Sequence, residues 1–256
     1  LGPNGAGKTT LFYIIMGLIK PRKGTIKINN NDITKLAMYS RARLGISYLP
    51  QEPSIFRGMN VRDNINSILE ITEKNKKLRK IKLEKLLEIF GLEKIQKNSA
   101  RLLSGGERRR VEIARSIAGQ PKYILMDEPF SGLDKRLRDD IRDETLEILK
   151  SEETAVLLVT HEPEEAMKMA DEIALMRSGE IVQMGAPYNL YNAPVDRAAV
   201  AFFSDANIIK SKVSGSLADS PFGQFFAPGL DEGTHVEIVI RPVSYTHLTL
   251  PTKRIV

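Results

Sequence analysis

The feature that most constrains this chain lies at its start, where residues 2–9 match the pattern G-x-x-x-x-G-K-[ST] in full. In such a loop the glycines let backbone N–H groups wrap phosphate oxygens, and the following helix points the positive end of its dipole at them. We expect Lys8 to reach the β- and γ-phosphates and Thr9 to bind Mg²⁺. The full match and the helix behind it disfavour the alternative of a structural glycine-rich turn. The predicted phosphate-binding set is Gly2, Pro3, Asn4, Gly5, Ala6, Gly7, Lys8, Thr9 and Thr10.

The rest of the chain alternates short apolar runs with helical periodicity. This predicts a mostly parallel sheet in an α/β fold, with ligands at the carboxyl ends of the strands. A phosphate-binding loop normally follows a buried strand, and here the chain opens on the loop, so we expect the N-terminus to be truncated. The predicted elements are a helix over residues 9–16, strands over 25–28, 46–49, 123–126 and 155–159, a turn over 29–32, a helical insertion over 61–90, a helix over 107–117 and a crossover helix around residues 137–149. Within the insertion, Leu83, Leu86, Leu87 and Phe90 recur at helical spacing and predict one apolar face. Beyond residue 203, the runs at 208–213, 224–227 and 236–240 predict short strands.

Asp127 and Glu128 follow the apolar run at residues 123–126, as they would at the end of a buried parallel strand. A buried carboxylate at Asp127 is costly unless a bound Mg²⁺ compensates its charge. Glu128 is then placed to accept a proton from an attacking water. The alternative, two solvated acids at a strand end, is disfavoured by Pro129 and the tight turn at Ser131 and Gly132.

A second glycine pair, Gly105 and Gly106 after Ser104, would head another helix and form a second anion-binding N-terminus. Alone, Ser-Gly-Gly favours a flexible turn, but its place about twenty residues before the Asp127-Glu128 strand end favours a phosphate site. This order of motifs resembles the ATPase domain of ABC transporters. That resemblance implies ATP hydrolysis by a head-to-tail dimer, in which Ser104, Gly105 and Gly106 bind the γ-phosphate of the nucleotide held by the partner.

The resemblance also implies roles for three further residues. Gln51 matches a glutamine that touches Mg²⁺ and water, so the implied metal set is Thr9, Gln51 and Asp127. His161 matches a histidine that contacts the γ-phosphate, and the implied catalytic set is Glu128, His161 and Gln51. Asp134 matches the loop that crosses the dimer interface. The implied cofactors are ATP and Mg²⁺; the preference for adenine comes from the family alone, since its stacking residue would precede the loop.

The sequence divides into parts that resemble different proteins. Residues 1 to about 120 resemble the lipopolysaccharide export ATPase, whereas residues from about 127 to 242 resemble ferric-ion importer ATPases with a C-terminal regulatory β-domain. Our hypothesis is a fusion of two gene fragments, with a single divergent importer ATPase as the alternative. Residues 243–256 resemble a translated sequencing adapter and are excluded from the fold prediction. The predicted domains are residues 1–204 (ATPase, with a helical subdomain at about 52–105), a partial β-rich regulatory domain at 205–242 and a non-native tail.

Composition limits the partners. The net charge is +6 in 256 residues, there is no cysteine, and no apolar run reaches the roughly 20 residues of a membrane span. The basic run at residues 74–85 lacks the interleaved aromatics that nucleic-acid binding favours, so we expect a solvated face there, with anionic headgroups as the alternative. The resemblance to ABC transporter ATPases implies a homodimer on transmembrane permease subunits at the cytoplasmic face of the inner membrane, serving ferric-ion import or lipopolysaccharide export. The alternatives are a soluble non-transport ABC ATPase and an inactive chimeric product.

Overall fold

The computed structural model describes residues 1–241, which form two compact units. One unit is Lys8–Thr160, and the other combines Leu1–Gly7 with the chain from His161 onward. The predicted adapter-like segment at residues 243–256 lies outside the described residues. None of the helices between residues 1 and 241 has the length and apolar composition that crossing a bilayer requires.

The Lys8–Thr160 unit is built around a parallel sheet of order β3-β4-β5, in which Leu49 is aligned with Met126 and Asp127 with Val159. Its elements are α1 (Lys8–Met16), β1 (Lys27–Ile28), β2 (Asn31–Asp32), α2 (Met38–Arg43), β3 (Ile46–Leu49), α3 (Val61–Thr72), α4 (Lys76–Ile89), α5 (Gly105–Ala118), β4 (Tyr123–Asp127), α6 (Lys135–Ser151) and β5 (Ala155–Val159), with short 3-10 helices at Glu93–Ile95 and Ala100–Leu102.

Apolar side chains of α1 pack against this sheet. Phe12 and Met16 are buried together with residues from the strands and from the turn after β2: Ile33, Ile46, Leu125 and Val159. The predictions for β3, β4 and the helices α1 and α5 are therefore confirmed to within two residues at each end. Because α1 begins at Lys8, the packing of its apolar face fixes where the functional residues Lys8 and Thr9 stand relative to the end of β4.

Three predicted elements of this unit are wrong in detail. The turn at residues 29–32 is narrower than predicted, because Asn29 and Asn30 take positive φ values of 48° and 66° and the next two residues already pair with β1. The helical insertion breaks between α3 and α4, where Asn75 accepts a hydrogen bond from the backbone N–H of Lys77 at 2.9 Å. β5 is not buried along its length: of its five residues only Val159 is buried, because among the described strands β5 pairs with β4 alone.

The predicted apolar face of α4 is confirmed, since Leu83, Leu87 and Phe90 are all buried. Basic residues on the same helix are in part paired with carboxylates. Lys82 Nζ lies 3.1 Å from Glu73 Oε2, and Lys85 Nζ lies 3.2 Å from Glu152 Oε1. These pairs agree with a solvated helical face.

The second unit contains α7 (Pro163–Met169), β6 (Ile173–Arg177), β7 (Glu180–Gly185), α8 (Pro187–Asn192), α9 (Arg197–Phe203), β8 (Asn207–Ser214), β9 (Leu217–Ser220), β10 (Gly223–Phe226) and β11 (His235–Ile240). Strands β6 and β7 form an antiparallel hairpin, and the last four strands form an antiparallel sheet of order β10-β9-β8-β11 around a core that includes Phe225 and Ile238. The sequence predicted three of those last strands. It missed β9, the hairpin and the three helices, whose apolar runs are short.

Candidate active site

Asp127 and Glu128 stand at the end of the central strand β4 and are both buried, with 1% and 9% of their surfaces exposed. The ladder between β4 and β5 reaches them, because Asp127 is aligned with Val159 and the backbone N–H of Glu128 donates to the Val159 carbonyl at 2.8 Å. Two adjacent acids are thus held on rigid backbone at the carboxyl end of a parallel sheet. This is where α/β folds bind their ligands.

The charge of Asp127 is only partly compensated within this unit. Burial raises the pKa of Asp127, and the negative charge of Glu128 acts in the same direction, while a hydrogen bond from Thr9 and the charges of Lys8 and Arg109 lower the pKa. Its Oδ1 atom is buried and has no hydrogen-bond partner among residues 1–241. An unpaired buried carboxylate oxygen is costly unless a cation binds it.

Lys8 is also buried, at 6% exposure. Burial lowers the pKa of Lys8, and the nearby negative charges of Glu128 and Asp127 raise it. The structure therefore brings together Lys8, Thr9, Asp127 and Glu128, as the sequence predicted. Their combined charges suit a ligand that carries phosphate oxygens on one side and a cation on the other.

The side chain and backbone of Glu128 are both constrained. Gln51 Nε2 donates a hydrogen bond to Glu128 Oε2 at 3.0 Å, although the two residues are 77 positions apart. Glu128 has φ of 43°, in the left-handed region that non-glycine residues seldom adopt. Its carbonyl oxygen accepts hydrogen bonds from the Ser131 hydroxyl at 3.0 Å and from Arg109 Nη2 at 3.4 Å. Several contacts therefore fix the direction of this carboxylate.

The sequence analysis missed two residues next to this cluster, Arg109 and Glu112. They form a buried ion pair on α5, with Arg109 Nη1 lying 3.0 Å from Glu112 Oε2, and only 8% and 2% of the two side chains is exposed. The available signal was Glu112 itself, an acid inside the apolar run of Val111, Ile113 and Ala114. A charge in such a run is expected to be buried with a partner.

Ser104, Gly105 and Gly106 head α5 as predicted. Ser104 caps the helix in a capping box, in which its Oγ accepts from the Glu107 N–H at 3.3 Å and the Glu107 carboxylate accepts from the Ser104 N–H at 2.8 Å. Ser104 and Gly105 are exposed, whereas Gly106 is buried. Asp134 caps the neighbouring helix α6 and accepts from the Leu137 N–H at 3.1 Å.

Residues 1–7, which include the first part of the phosphate-binding loop, belong to the other unit, where they lie against the β6–β7 hairpin. The Leu1 amino group donates to the Ala174 carbonyl at 3.0 Å, and the Met176 N–H donates to the Leu1 carbonyl at 2.7 Å. A Cβ atom on Gly2 would lie 2.2 Å from the Met176 carbonyl oxygen, so only glycine fits there. The turn of the hairpin adds a bond from the Gly179 N–H to the Ala6 carbonyl at 3.1 Å. Within this loop Pro3, Asn4 and Gly5 are exposed, while Gly7 is partly buried.

His161 opens the second segment of that unit. Its side chain is 35% exposed, and its Nε2 lies 3.6 Å from Glu162 Oε1. The structure describes His161 and the phosphate loop within one unit and Lys8, Thr9, Gln51, Asp127 and Glu128 within the other. The predicted site residues thus fall into two groups, one in each unit.

The oxygen donors of Asp127 and Thr9 suit a Mg²⁺ ion that is bound jointly by the protein and a substrate, rather than a metal enclosed by protein side chains alone. Among residues 1–241 there is no group of three or more His, Cys, Asp or Glu side chains that could enclose an ion. Mg²⁺ is usually bound through one or two carboxylates together with substrate phosphates. The unpartnered Oδ1 of Asp127 beside the Thr9 hydroxyl suits that arrangement.

Comparisons with known proteins agree with this geometry. The profile of the ABC transporter family matches residues 1–131. The "Probable ABC transporter ATP-binding protein" of Azorhizobium caulinodans is 47% identical over 194 residues, which cover 76% of this chain and 69% of that protein. The lipopolysaccharide export system ATP-binding protein LptB of Haemophilus influenzae is 42% identical over 193 residues, covering 75% of this chain and 80% of that protein.

A solved structure has the same fold. It is the dimeric post-hydrolysis state of the ATP-binding cassette MJ0796 bound to ADP and Pi, which is 26% identical with a TM-score of 0.64 and covers 73% of this chain and 83% of that one. With the parallel sheet, the paired acids at the end of β4 and the phosphate-binding loop, these matches identify the chain as a member of the ABC transporter ATP-binding family, a nucleotide-binding subunit that hydrolyses ATP.

Proposed function

We propose that Glu128 is the general base that accepts a proton from the water attacking the γ-phosphate of ATP, and that Gln51 orients it. The observation that carries this proposal is the 3.0 Å hydrogen bond from Gln51 Nε2 to Glu128 Oε2, beside Asp127 and Lys8. A carboxylate held in one direction is ready to take up the proton, and general-base assistance typically contributes about 10²–10⁴-fold in rate.

Glu128→Gln tests this role because the amide keeps the size of the side chain and can still accept from Gln51, yet it is a far weaker base. We expect ATP turnover to fall by about 10²-fold or more while ATP binding, measured by equilibrium titration, is retained. The matched control is Glu172→Gln, an exposed acid in the other unit. Wild-type turnover by Glu128→Gln would refute the role.

For the phosphates and the metal, we propose that the loop from Gly2 to Thr10 cradles the nucleotide and that Lys8 contacts the β- and γ-phosphates. Asp127, Thr9 and Gln51 would hold Mg²⁺, with the unpartnered Asp127 Oδ1 as the strongest support. When bound, Mg²⁺ neutralises charge that develops on the transferred phosphoryl group. Thr9→Ala should weaken Mg²⁺-dependent nucleotide binding more than binding measured with EDTA present.

His161 is proposed to contact the γ-phosphate. The support is its position two residues after β5, whose last residue Val159 is aligned with Asp127. Because a histidine contact to the γ-phosphate acts only on ATP, His161→Ala should lower turnover while leaving ADP affinity unchanged. An equal loss of ADP affinity would argue for a structural role instead.

We propose that two copies of the chain pair head to tail, with Ser104, Gly105, Gly106 and Asp134 of one copy completing the site of the other. Ser104 and Gly105 are exposed at the positive end of α5, which suits an incoming phosphate. The related cassette MJ0796 is dimeric in its post-hydrolysis state. With Glu128→Gln, ATP should convert monomers to dimers in sedimentation velocity, and Ser104→Arg should prevent that conversion.

The partner outside the ATPase is proposed to be a pair of transmembrane permease subunits, with this chain bound peripherally at the cytoplasmic face of the inner membrane and no nucleic acid involved. The support is the family of the relatives, whose members include the ATP-binding protein of a lipopolysaccharide export system. Co-purification with an integral membrane protein would support transport. Ribosome or DNA association would instead favour a non-transport ABC ATPase.

The proposed cargo is lipopolysaccharide, because the LptB relative of Haemophilus influenzae is 42% identical and aligns with 75% of this chain. A second candidate, import of ferric ion or a similar solute, is favoured by the antiparallel sheet of β8–β11, which fits a regulatory β-domain. The adjacent genes distinguish the two, since export and import need different permeases. ATPase stimulation by the cognate permease, measured in proteoliposomes, would decide the assignment.

For the domains we propose an ATPase domain at residues 1–204, with a helical subdomain at about 52–105, and a β-rich domain at 205–242. We also propose that the lipopolysaccharide-export-like part, to about residue 120, and the ferric-importer-like part, from about 127, were joined between Arg115 and Phe130. Support comes from the four-stranded sheet that follows the ATPase elements. A single-molecule read of intact DNA that runs unbroken through this region would contradict the fusion.

A further inference from the structure

We propose that the buried pair Arg109 and Glu112 positions Gln51 and Glu128 against each other, so that α5 sets the geometry of the hydrolytic hydrogen bond. The inference rests on the proposed role of Glu128 and deepens it by naming two buried positioning residues on α5.

Arg109 holds the turn that follows β4. Its guanidinium donates to the Glu128 carbonyl at 3.4 Å, and its Nε atom donates to the Pro129 carbonyl. These bonds act at a residue in the left-handed region of backbone space, since Glu128 has φ of 43°. A residue keeps such a conformation only when its surroundings over-determine it. Arg109 is therefore one of the groups that hold the Glu128 carboxylate in its direction.

The same pair holds the loop that carries Gln51. Arg109 Nη1 donates to the Pro50 carbonyl at 3.0 Å, directly before Gln51. Glu112 Oε1 accepts from the backbone N–H groups of Ser54 at 2.8 Å and Ile55 at 3.1 Å, on the other side of Gln51. The loop is thus tied to α5 before and after Gln51, by one member of the pair or the other.

The ion pair between Arg109 and Glu112 connects these two sets of contacts, so the turn after β4 and the Gln51 loop are held by one pair of side chains. Each residue is buried, and removing either one alone would leave an unpaired charge in the interior, which is strongly destabilising. Because Arg109 and Glu112 lie in the first half of α5, movement of the head of this helix would be transmitted to both Gln51 and Glu128. The pair therefore makes the Gln51–Glu128 distance depend on how α5 is seated.

The test variant is the double substitution Arg109→Met with Glu112→Gln, made in the full chain. It removes both buried charges together, so no unpaired charge is left in the interior, and the glutamine oxygen can still accept from Ser54 and Ile55. We expect kcat for ATP hydrolysis to fall by up to about 10²-fold, the cost of a misplacement near 1 Å, with KM for ATP little changed.

The matched control is Arg110→Met with Glu144→Gln, which removes a neighbouring ion pair between Arg110 of α5 and Glu144 of α6. Arg110 Nη1 contacts Glu144 and the Phe90 carbonyl and bonds to neither loop. Its kcat should stay near that of the wild type. An equal loss of kcat in this control, or wild-type kcat in the test variant, would overturn the positioning role.

A double-mutant cycle supplies the readout that a merely structural role would not move. If Arg109 and Glu112 act through Gln51, then Gln51→Ala should cost much less kcat in the test variant than in the wild type. Full additivity overturns the inference. If the test variant does not fold, Arg109→Lys serves instead, because the lysine amine can reach only some of the acceptors that the guanidinium contacts. Arg109→Lys should have an intermediate kcat and should show the same non-additivity with Gln51→Ala.

Glu128→Gln separates the two levels of the argument. If it turns over ATP like the wild type, the proposed role of Glu128 fails, and the positioning role fails with it. If it is inactive while the test variant has wild-type kcat, only the positioning role fails.

Discussion

Replacing Gly106 by alanine tests how closely α5 and α6 approach each other at the head of α5. A Cβ atom on Gly106 would lie 2.3 Å from Leu137 Cδ2 and 3.3 Å from its Cγ. At Gly105, one residue earlier, no described atom lies within 4 Å of such a Cβ. Neither glycine has a positive φ, so alanine is allowed by the backbone at both positions. Gly105→Ala is therefore a matched control for Gly106→Ala.

The two variants share one effect and differ in the other. Alanine in place of glycine favours a helix by roughly 0.5–1 kcal/mol, and this gain is common to both. At Gly106, Leu137 Cδ2 must also recede from 2.3 Å to at least 3.4 Å before it makes an ordinary contact. Overpacking of that kind typically costs about 1–3 kcal/mol. Because the obstructing atom is the end of a partly exposed leucine side chain, we expect Gly106→Ala to be less stable than Gly105→Ala by about 1 kcal/mol, the low end of that range.

Urea unfolding of the nucleotide-free protein measures the difference, and thermal midpoints should separate by about 2–4 °C for each kcal/mol. Adding Leu137→Ala to Gly106→Ala removes the obstructing atoms and should recover part of the loss. Equal midpoints for the two alanine variants would refute the reasoning, because they would mean that Leu137 turns aside at no cost. In the ATPase assay, Gly105→Ala should be folded and still impaired, since its Cβ would occupy the space proposed for the partner's phosphate.

Three further changes give expected outcomes. Arg41 is buried and donates to the carbonyls of Leu36, Ile14 and Thr34 at 2.9 Å, so Arg41→Met should cost at least the roughly 1.5–3 kcal/mol of one charged hydrogen bond, measured by urea unfolding against Arg43→Met. Burial raises the pKa of Asp127 above its usual 3.8, so the folded chain favours the protonated carboxyl and loses stability as the pH rises from about 3.8 through the folded-state pKa. Without nucleotide and Mg²⁺, Asp127→Asn should therefore have a higher melting temperature than the wild type near neutral pH, and this difference should disappear in acid. A gap that widened in acid would contradict this sign. Ile238→Ala opens a cavity in a fully buried position of the β8–β11 sheet and should cost about 2–5 kcal/mol, seen as faster amide exchange confined to those strands.

Local patterns in the sequence predicted the parts of the fold that depend on local chemistry. The strand β4 could be predicted because an apolar run ends in two acids, and the head of α5 because Ser104 and Glu107 form a capping box that a sequence displays directly. The break between α3 and α4 was also present in the sequence, as Asn75 is a favourable N-cap, but the basic residues around it kept the helical propensity high. The existence of the longer helices of the Lys8–Thr160 unit was predictable, whereas their boundaries required the cap geometry, and the short helices α7–α9 were missed.

The features that the sequence did not predict depend on contacts between residues that are far apart in the chain. The exposure of β5 depends on which strands lie beside it, and nothing in an apolar run of five residues tells a central strand from an edge strand. The hydrogen bond between Gln51 and Glu128 joins positions 77 apart, and its partner atoms are selected by the register of β3 on β4. The sequence motifs identified Gln51 and Glu128 but not the hydrogen bond between them.

The positive φ of Glu128 shows why the contact matters more than the motif. A glutamate in the left-handed region is held there by contacts from several parts of the chain: the Val159 carbonyl that accepts its N–H, the Ser131 hydroxyl and the Arg109 guanidinium that donate to its carbonyl. We expect that removing any one of these contacts would let the backbone relax toward ordinary φ values and turn the carboxylate away from Gln51 Nε2. Two chains with identical motif residues can therefore hydrolyse ATP at different rates, because the side chains outside the motifs differ. In this chain the side chains to compare first are Arg109 and Glu112, because both contact the Gln51 loop and Arg109 also donates to the Glu128 carbonyl in the turn after β4.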